Sequence, residues 1–203
     1  MKIICVGRNY ADHVKELGNK ETEAPVLFLK PKTALLLDNK PLFYPEFTND
    51  LHYECELVLR VSKNGKYIKE KFAHNYIDAI SLGIDFTARD LQQKQKEKGL
   101  PWEIAKAFDH SAAVGSFEKI EQFNSLSDLH FELKINGESR QKGHSKQMIF
   151  SIAKIIAYAS QYFTLNIGDL IFTGTPSGVA SLSVQDHLVA YLEGKEVLSC
   201  QIK

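Results

Sequence analysis

The sequence predicts a strand-rich, mixed α+β fold built around a β-roll or sandwich. Strand-like segments outnumber helical ones. Their order lacks the regular β-α-β alternation of a doubly wound sheet, and Asn-Gly and similar turns punctuate them. The chain has 203 residues, 44% of them hydrophobic, which suits one globular domain with a sizeable core.

A short strand over residues 2–6 leads through Gly7-Arg8-Asn9 to a short helix over 10–17, which Gly18-Asn19-Lys20 breaks. A strand follows at 26–29. Residues 1–45 read as a small N-terminal lobe and 46–203 as the β-roll core. Core strands are expected at 54–62, 79–86, 129–135, 169–173, 187–192 and 196–202. Asn64-Gly65, Asn136-Gly137 and Gly194-Lys195 read as hairpin turns. Helices are expected over 70–75, 88–98 and 145–163. In the last of these, Met148, Ile149, Ile152, Ile155, Ile156 and Ala159 recur at helical spacing, the mark of a core-facing helix.

Composition narrows the function. Lys plus Arg number 25, as do Asp plus Glu, and the net charge of zero gives no support to nucleic-acid or anionic-membrane binding. No apolar run approaches the roughly 18 residues needed to span a bilayer, and a cytoplasmic protein is the simplest expectation. The three cysteines form no CxxC pair and read as reduced core thiols.

The most informative segment is Tyr53-Glu54-Cys55-Glu56-Leu57. In a strand, residues i and i+2 share a face, so Glu54 and Glu56 aim two carboxylates at one point. Like charges at that spacing repel unless a cation separates them, and an all-oxygen site favours a hard ion such as Mg²⁺ or Mn²⁺. A solvated strand face is the alternative. Asp85 ends a second apolar strand, just before a helix start. It is either that helix's N-cap or a third ligand, with Thr87 able to cap in its place.

Further motifs follow in order. They are Gly7-Arg8-Asn9-Tyr10-Ala11-Asp12-His13, Phe28-Leu29-Lys30-Pro31, and Gly83-Ile84-Asp85-Phe86-Thr87-Ala88-Arg89-Asp90-Leu91-Gln92. Lys106-Ala107-Phe108-Asp109, Asn136-Gly137-Glu138 and Thr173-Gly174-Thr175-Pro176-Ser177-Gly178-Val179 complete the set. Together with the Glu-Cys-Glu segment they resemble the fumarylacetoacetate hydrolase family over nearly the whole chain. The likeness is greatest to its short single-domain branch of acylpyruvate hydrolases and oxaloacetate decarboxylases.

The resemblance implies a mixed β-sandwich roll with a lid helix on the N-terminal lobe, a homodimer, and a Mg²⁺ or Mn²⁺ held by Glu54, Glu56 and Asp85. It implies small 2-oxo acid substrates bearing a second carbonyl or carboxylate. His13 and Glu16, three apart and so on one helix face, would form a dyad in which Glu16 orients His13 as a base toward water. An ordinary polar helix face is the other reading. Lys106 is a candidate to balance the acids and stabilise developing negative charge, or else a surface lysine.

Arg89 and Gln92 share a helix face and could reach the substrate's distal end, while Arg89 could equally pair with Asp85 or Asp109. Lys30 could form a charge pair or touch substrate. Thr175 is placed to hydrogen-bond a substrate carboxylate, within a turn made by Gly174 and Pro176. The remaining histidines show no ligand spacing. Ala107 stands where Ser or Gly is common, and residues 180–183 lack a glycine and proline often found there, which bears on substrate size more than on chemistry.

The function so implied is metal-dependent hydrolysis of acylpyruvates by C3–C4 cleavage to pyruvate and a carboxylic acid, with oxaloacetate decarboxylation as a related activity. The nearest rival is an isomerase or tautomerase of 2-hydroxyhepta-2,4-diene-1,7-dioate type, which needs proton shuffling without C–C cleavage. Retention of both His13 and Glu16 favours the hydrolase. A binding protein without turnover is opposed by the presence of every ligand and both dyad residues.

Overall fold

A computed structural model describes residues 1–18, 20 and 22–203. In chain order the regular elements are β1 (Ile3–Gly7), α1 (Ala11–Glu16), β2 (Val26–Lys30), β3 (Leu35–Leu36), β4 (Leu51–His52) and β5 (Cys55–Val61). Then come β6 (Ile77–Asp85), β7 (Thr87–Ala88), α2 (Arg89–Lys98), α3 (Glu103–Lys106), β8 (Ala112–Val114) and β9 (Glu118–Lys119). The last are β10 (His130–Ile135), β11 (Glu138–His144), α4 (Ile152–Tyr162), β12 (Leu170–Phe172), β13 (His187–Leu192) and β14 (Lys195–Gln201).

Two sheets enclose the core. The larger runs β2-β1-β12-β5-β6-β8-β3, with β9 joined to β6, and the smaller runs β11-β10-β13-β14. One apolar cluster draws on both, through Ile4, Leu57, Leu59 and Ile80 from the first and Leu133, Ala190 and Leu198 from the second. Each such side chain contributes about 1.5–3 kcal/mol on burial. The strand-rich α+β roll expected from sequence is the fold observed. Residues 1–45, however, are knitted into the large sheet and do not stand apart as a lobe, because β1 lies between β2 and β12.

Two of the predicted turns form, the second one residue earlier than Gly194-Lys195 because Lys195 already pairs in β14. Asn136 and Gly137 join β10 to β11 with φ of 53° and 83°, and Glu193 and Gly194 join β13 to β14 with φ of 48° and 78°. Positive φ at both positions matches the twist of a hairpin. Asn64-Gly65 is not a hairpin turn. Gly65 bridges Leu165 instead, and a Cβ there would lie 2.3 Å from the Tyr76 ring. The close approach of the backbone, not turn geometry, calls for glycine.

The helix expected over 145–163 is shorter. Residues 145–147 form a single 3₁₀ turn, and α4 starts after Ser151, whose Oγ accepts from Lys154 N at 3.2 Å. The intervening backbone is held by Asn9: Ile149 N donates to Asn9 O at 2.9 Å, and Phe150 N to Asn9 Oδ1 at 2.7 Å. These bonds compete with helix continuation. Ile155, Ile156 and Ala159 do face the core. Neither Asp85 nor Thr87 caps α2, whose N-cap residue Ala88 makes no side-chain bond. No helix among the described residues is long and apolar enough to cross a membrane.

Candidate active site

The ends of β1, β5, β6 and β12 converge on one cleft. It is lined by residues from the 6–8 turn, His13 and Leu17 of α1, Phe28, Glu54, Glu56, Asp85, the inner face of α2, Trp102, Lys106 and Thr175. Glu54 and Glu56 share a face of the β5 segment, as their spacing predicts. They meet Asp85 from the neighbouring strand, and one carboxylate oxygen of each lies within 4.8 Å of the others. All three are buried.

Three cations offset these acids. Lys106 Nζ donates to Glu54 Oε2 and Asp85 Oδ2, both at 2.8 Å, and to Thr87 Oγ at 2.6 Å. Arg89 Nη2 donates to Glu54 Oε1 at 2.5 Å, and Nη1 to Gln92 Oε1 at 2.6 Å. Lys30 Nζ stands 2.8 Å from Asp85 Oδ1. The cluster is therefore formally neutral, and the repulsion expected of isolated acids is largely compensated.

The individual acids differ. Burial alone would raise the Glu54 carboxyl, but Lys106 and Arg89 outweigh it and hold it well below the usual range. Glu56 is pushed well above that range, by burial first and then by the charges of Asp85 and Glu54. The Gly174 N–H, 2.6 Å from Glu56 Oε2, and the more distant Lys106 oppose the shift. Gly174 has φ of 97°, and a Cβ there would lie 2.6 Å from Asn9 Cβ, so this donor depends on glycine. For Lys106, burial favours the neutral amine, but Asp85 and Glu54 prevail and keep it an ammonium ion.

His13 and Glu16 form the expected pair, with Nδ1 and Oε2 3.0 Å apart. A carboxylate only accepts, so Nδ1 carries the proton, and Nε2 of this cleft-lining ring has no partner among the described residues. Glu16 is itself tied down, because Gly178 N donates to its Oε1 at 2.9 Å. Asn19, in the break after α1, lies outside the described residues.

Four expectations change in detail. Lys30 is fully buried behind Asp85 and does not line the cleft, so it serves as a charge partner and not as a substrate contact. Its ammonium also bonds Ser111 O at 2.9 Å and the Lys106 carbonyl. Arg89 pairs with Glu54, not with Asp85 or Asp109. Lys106 has all three N–H groups committed to protein, so it acts on the cleft through charge. Thr175 Oγ donates to Cys55 O and accepts from Gln141 Nε2, both at 2.8 Å. With its one proton used, its hydroxyl offers the cleft an acceptor and cannot donate to a carboxylate.

Sequence reasoning passed over Arg8, Lys96 and Trp102 as site residues. Lys96 shares the α2 face of Arg89 and Gln92, at i, i+3 and i+7, a pattern that could have revealed it. Its ammonium lies over the Trp102 ring at 5.9 Å, and Trp102 meets Phe28 edge-on at 6.0 Å. Arg8 has φ of 61° in the turn leaving β1. Burial, then the nearby charges of Arg89 and Arg8, lower the Lys96 pKa.

The residues present suit a divalent cation. The donors are three buried carboxylates, one oxygen of each within 4.8 Å of the others. A set of converging buried carboxylates with only oxygen donors is what a hard ion takes.

A strand-rich roll with an acid-lined cleft and a carboxylate-oriented histidine defines a class of enzyme with a candidate metal site. The Fumarylacetoacetate (FAA) hydrolase C-terminal family matches residues 2–203, and the chain belongs to the fumarylacetoacetate hydrolase family. It is 44% identical over 201 residues to the "Oxaloacetate tautomerase FAHD1, mitochondrial" of Mus musculus, covering 99% of this chain and 91% of that protein. The Escherichia coli (strain K12) "Oxaloacetate tautomerase YcgM" is 40% identical over 194 residues, 95% of this chain and 89% of that one.

These lengths place the chain in the family's single-domain branch. Among solved structures, fumarylpyruvate hydrolase from Pseudomonas aeruginosa in complex with Mn²⁺ and pyruvate superposes with a TM-score of 0.94 at 38% identity, covering 100% of this chain and 89% of that one. The 2-hydroxyhepta-2,4-diene-1,7-dioate isomerase from Mycobacterium marinum gives 0.86 at 31% identity, covering 99% and 73%.

Proposed function

We propose that this enzyme interconverts the keto and enol forms of oxaloacetate, or of a closely similar 2-oxo dicarboxylate, with Glu54, Glu56 and Asp85 holding Mg²⁺ or Mn²⁺. The observation that carries this reading is the charge of the cleft. Three carboxylates are already balanced by Lys30, Lys106 and Arg89. Arg8 and Lys96 also face the cleft, and among the described residues neither makes an ion pair. A bound divalent ion adds to that positive surplus, which a dianion neutralises and a neutral acyl tail does not. The identity to oxaloacetate tautomerases of mouse and Escherichia coli supports the same reading.

When bound, the cation supplies Lewis-acid polarisation of the substrate's 2-oxo group. His13 does the proton work. Its free Nε2 takes a proton from C3, the C–H electron pair moves into the C2–C3 bond, and the carbonyl pair moves onto oxygen. A proton delivered to that oxygen completes the enol, and the reverse sequence restores the ketone. Glu16 holds the ring in the required tautomer, and Lys106 stabilises the developing negative charge by its field. Trp102 and Phe28 wall the cleft against water.

A second reading is acylpyruvate hydrolysis, with oxaloacetate decarboxylation beside it. The anchored His13–Glu16 pair favours it, since the same Nε2 could take a proton from water attacking C4. The likeness to fumarylpyruvate hydrolase supports it. We include a homodimer in the proposal on the family resemblance. Stopped-flow absorbance of enol-oxaloacetate ketonisation, run beside pyruvate release from acetylpyruvate and from oxaloacetate, decides the matter. Metal-dependent ketonisation faster than pyruvate release from either substrate is expected. Release from acetylpyruvate with no effect on ketonisation would leave the hydrolase reading standing in its place.

A further inference from the structure

Gln141 sits at an inward position of β11, in the sheet opposite the one that carries the acids, and is 1% exposed. Its amide has three partners. Oε1 accepts from Cys55 N at 2.9 Å, and Nε2 donates to Thr175 Oγ at 2.8 Å and to Pro176 O at 2.9 Å. The orientation is dictated by those partners. A flipped amide would set its N–H₂ against the Cys55 N–H and its oxygen against a carbonyl oxygen.

The positions of these partners matter. Cys55 is the residue between Glu54 and Glu56, so its N–H anchors the backbone from which both carboxylates project. Thr175 and Pro176 belong to the loop that presents Gly174 N–H to Glu56 and Gly178 N–H to Glu16. That loop is pressed onto β11: a Cβ on Gly178 would stand 2.4 Å from Arg140 O. Gln141 therefore adds a buried brace, from the opposite sheet, between the acid cluster and the loop that fixes the His13–Glu16 pair.

We infer that Gln141 is a positioning residue that sets the separation between the acid cluster and His13. The inference rests on the reading above, in which both act on one substrate. Thr175 Oγ, donating to Cys55 O, and Glu56, accepting from Gly174 N, span the same gap, and Gln141 braces both from the opposite sheet through Cys55 N and Thr175 Oγ. A loosened separation changes how well the base reaches a reacting atom held at the acids, without removing any group that touches it.

Two variants test this. Gln141→Leu removes all three bonds at similar bulk. Gln141→Glu keeps an oxygen for Cys55 N–H and loses both donors to the loop. Mn²⁺ affinity is read by calorimetry, kcat and KM for oxaloacetate ketonisation at saturating Mn²⁺, and Tm by calorimetric scanning. Gln141→Leu is expected to weaken Mn²⁺ binding roughly 10- to 100-fold and to lower kcat. Gln141→Glu is expected to retain more of the Mn²⁺ affinity while losing kcat at nearly unchanged KM.

In a double variant with Thr175→Val, the loss from Gln141→Glu should shrink, because the two residues act through one contact. A lowered Tm with Mn²⁺ affinity and kcat both unchanged would overturn the proposal, as would strict additivity with Thr175→Val. If Gln141→Leu fails to fold, Gln141→Glu carries the test. If the wild-type enzyme proves inactive on oxaloacetate, the function proposed above fails separately, and the Mn²⁺ affinities still report on Gln141.

Discussion

Lys30 Nζ stands 2.8 Å from Asp85 Oδ1, and neither side chain reaches solvent. A buried charge pair adds little over an apolar pair, but removing one partner strands the other. Lys30→Met should destabilise the fold by about 3–5 kcal/mol, read from urea unfolding curves. An unchanged midpoint would mean that Lys106 alone satisfies Asp85.

The His13–Glu16 pair divides the proposed chemistries. His13→Ala should lower ketonisation and acylpyruvate hydrolysis by roughly 10²–10⁴-fold, the usual worth of a general base. It should spare part of any decarboxylation, since loss of CO₂ needs no activated water. Equal loss of all three activities would argue against that division. Glu16→Gln should show a smaller loss, with the ring still present and less well held.

Glu56 links the site to pH. Its carboxyl is raised in the folded, metal-free protein, so the folded chain retains a proton that the unfolded chain has released. Stability from this group is present below the ordinary carboxylate range and is lost as pH rises toward the raised value. In EDTA, Tm should therefore fall as pH climbs from about 4.3 upward, where a free Glu ionises. Mn²⁺ should reverse the trend, because binding removes that proton and replaces it with the ion. Proton release on Mn²⁺ binding, measured calorimetrically in buffers of different ionisation enthalpy, checks the same point. Asp85→Ala should abolish that binding and all activity.

Lys96 is the test of substrate charge. Lys96→Met keeps the stem over Trp102 and removes the ammonium. KM for oxaloacetate should rise about 10-fold, as expected for loss of one partly desolvated charge contact near 1.4 kcal/mol, while KM for acetylpyruvate stays within twofold. Equal changes for both substrates would place Lys96 outside the distal subsite.

The residues that line the candidate site were largely legible in the sequence. Strand period put Glu54 and Glu56 on one face, helical spacing paired His13 with Glu16, and Asp85 stood at a strand end. Lys96 was legible in the same way and was passed over, because an exposed-looking lysine run on a polar helix reads as a solvated face. Gln141 left almost no signal, since a glutamine in a strand has no periodicity of its own.

The sequence by itself determined the fold class, the family and the identity of the acids, because all three depend on local periodicity and on motifs of a few consecutive residues. The tertiary structure alone decided which cation answers which acid, that Lys30 lies behind the site, and that Thr175 spends its proton on Cys55 O. It also decided that β1 enters the large sheet and that Asn9 delays the start of α4. These are contests for hydrogen bonds between residues far apart in the chain, and they are settled by which donors and acceptors folding brings within about 3 Å.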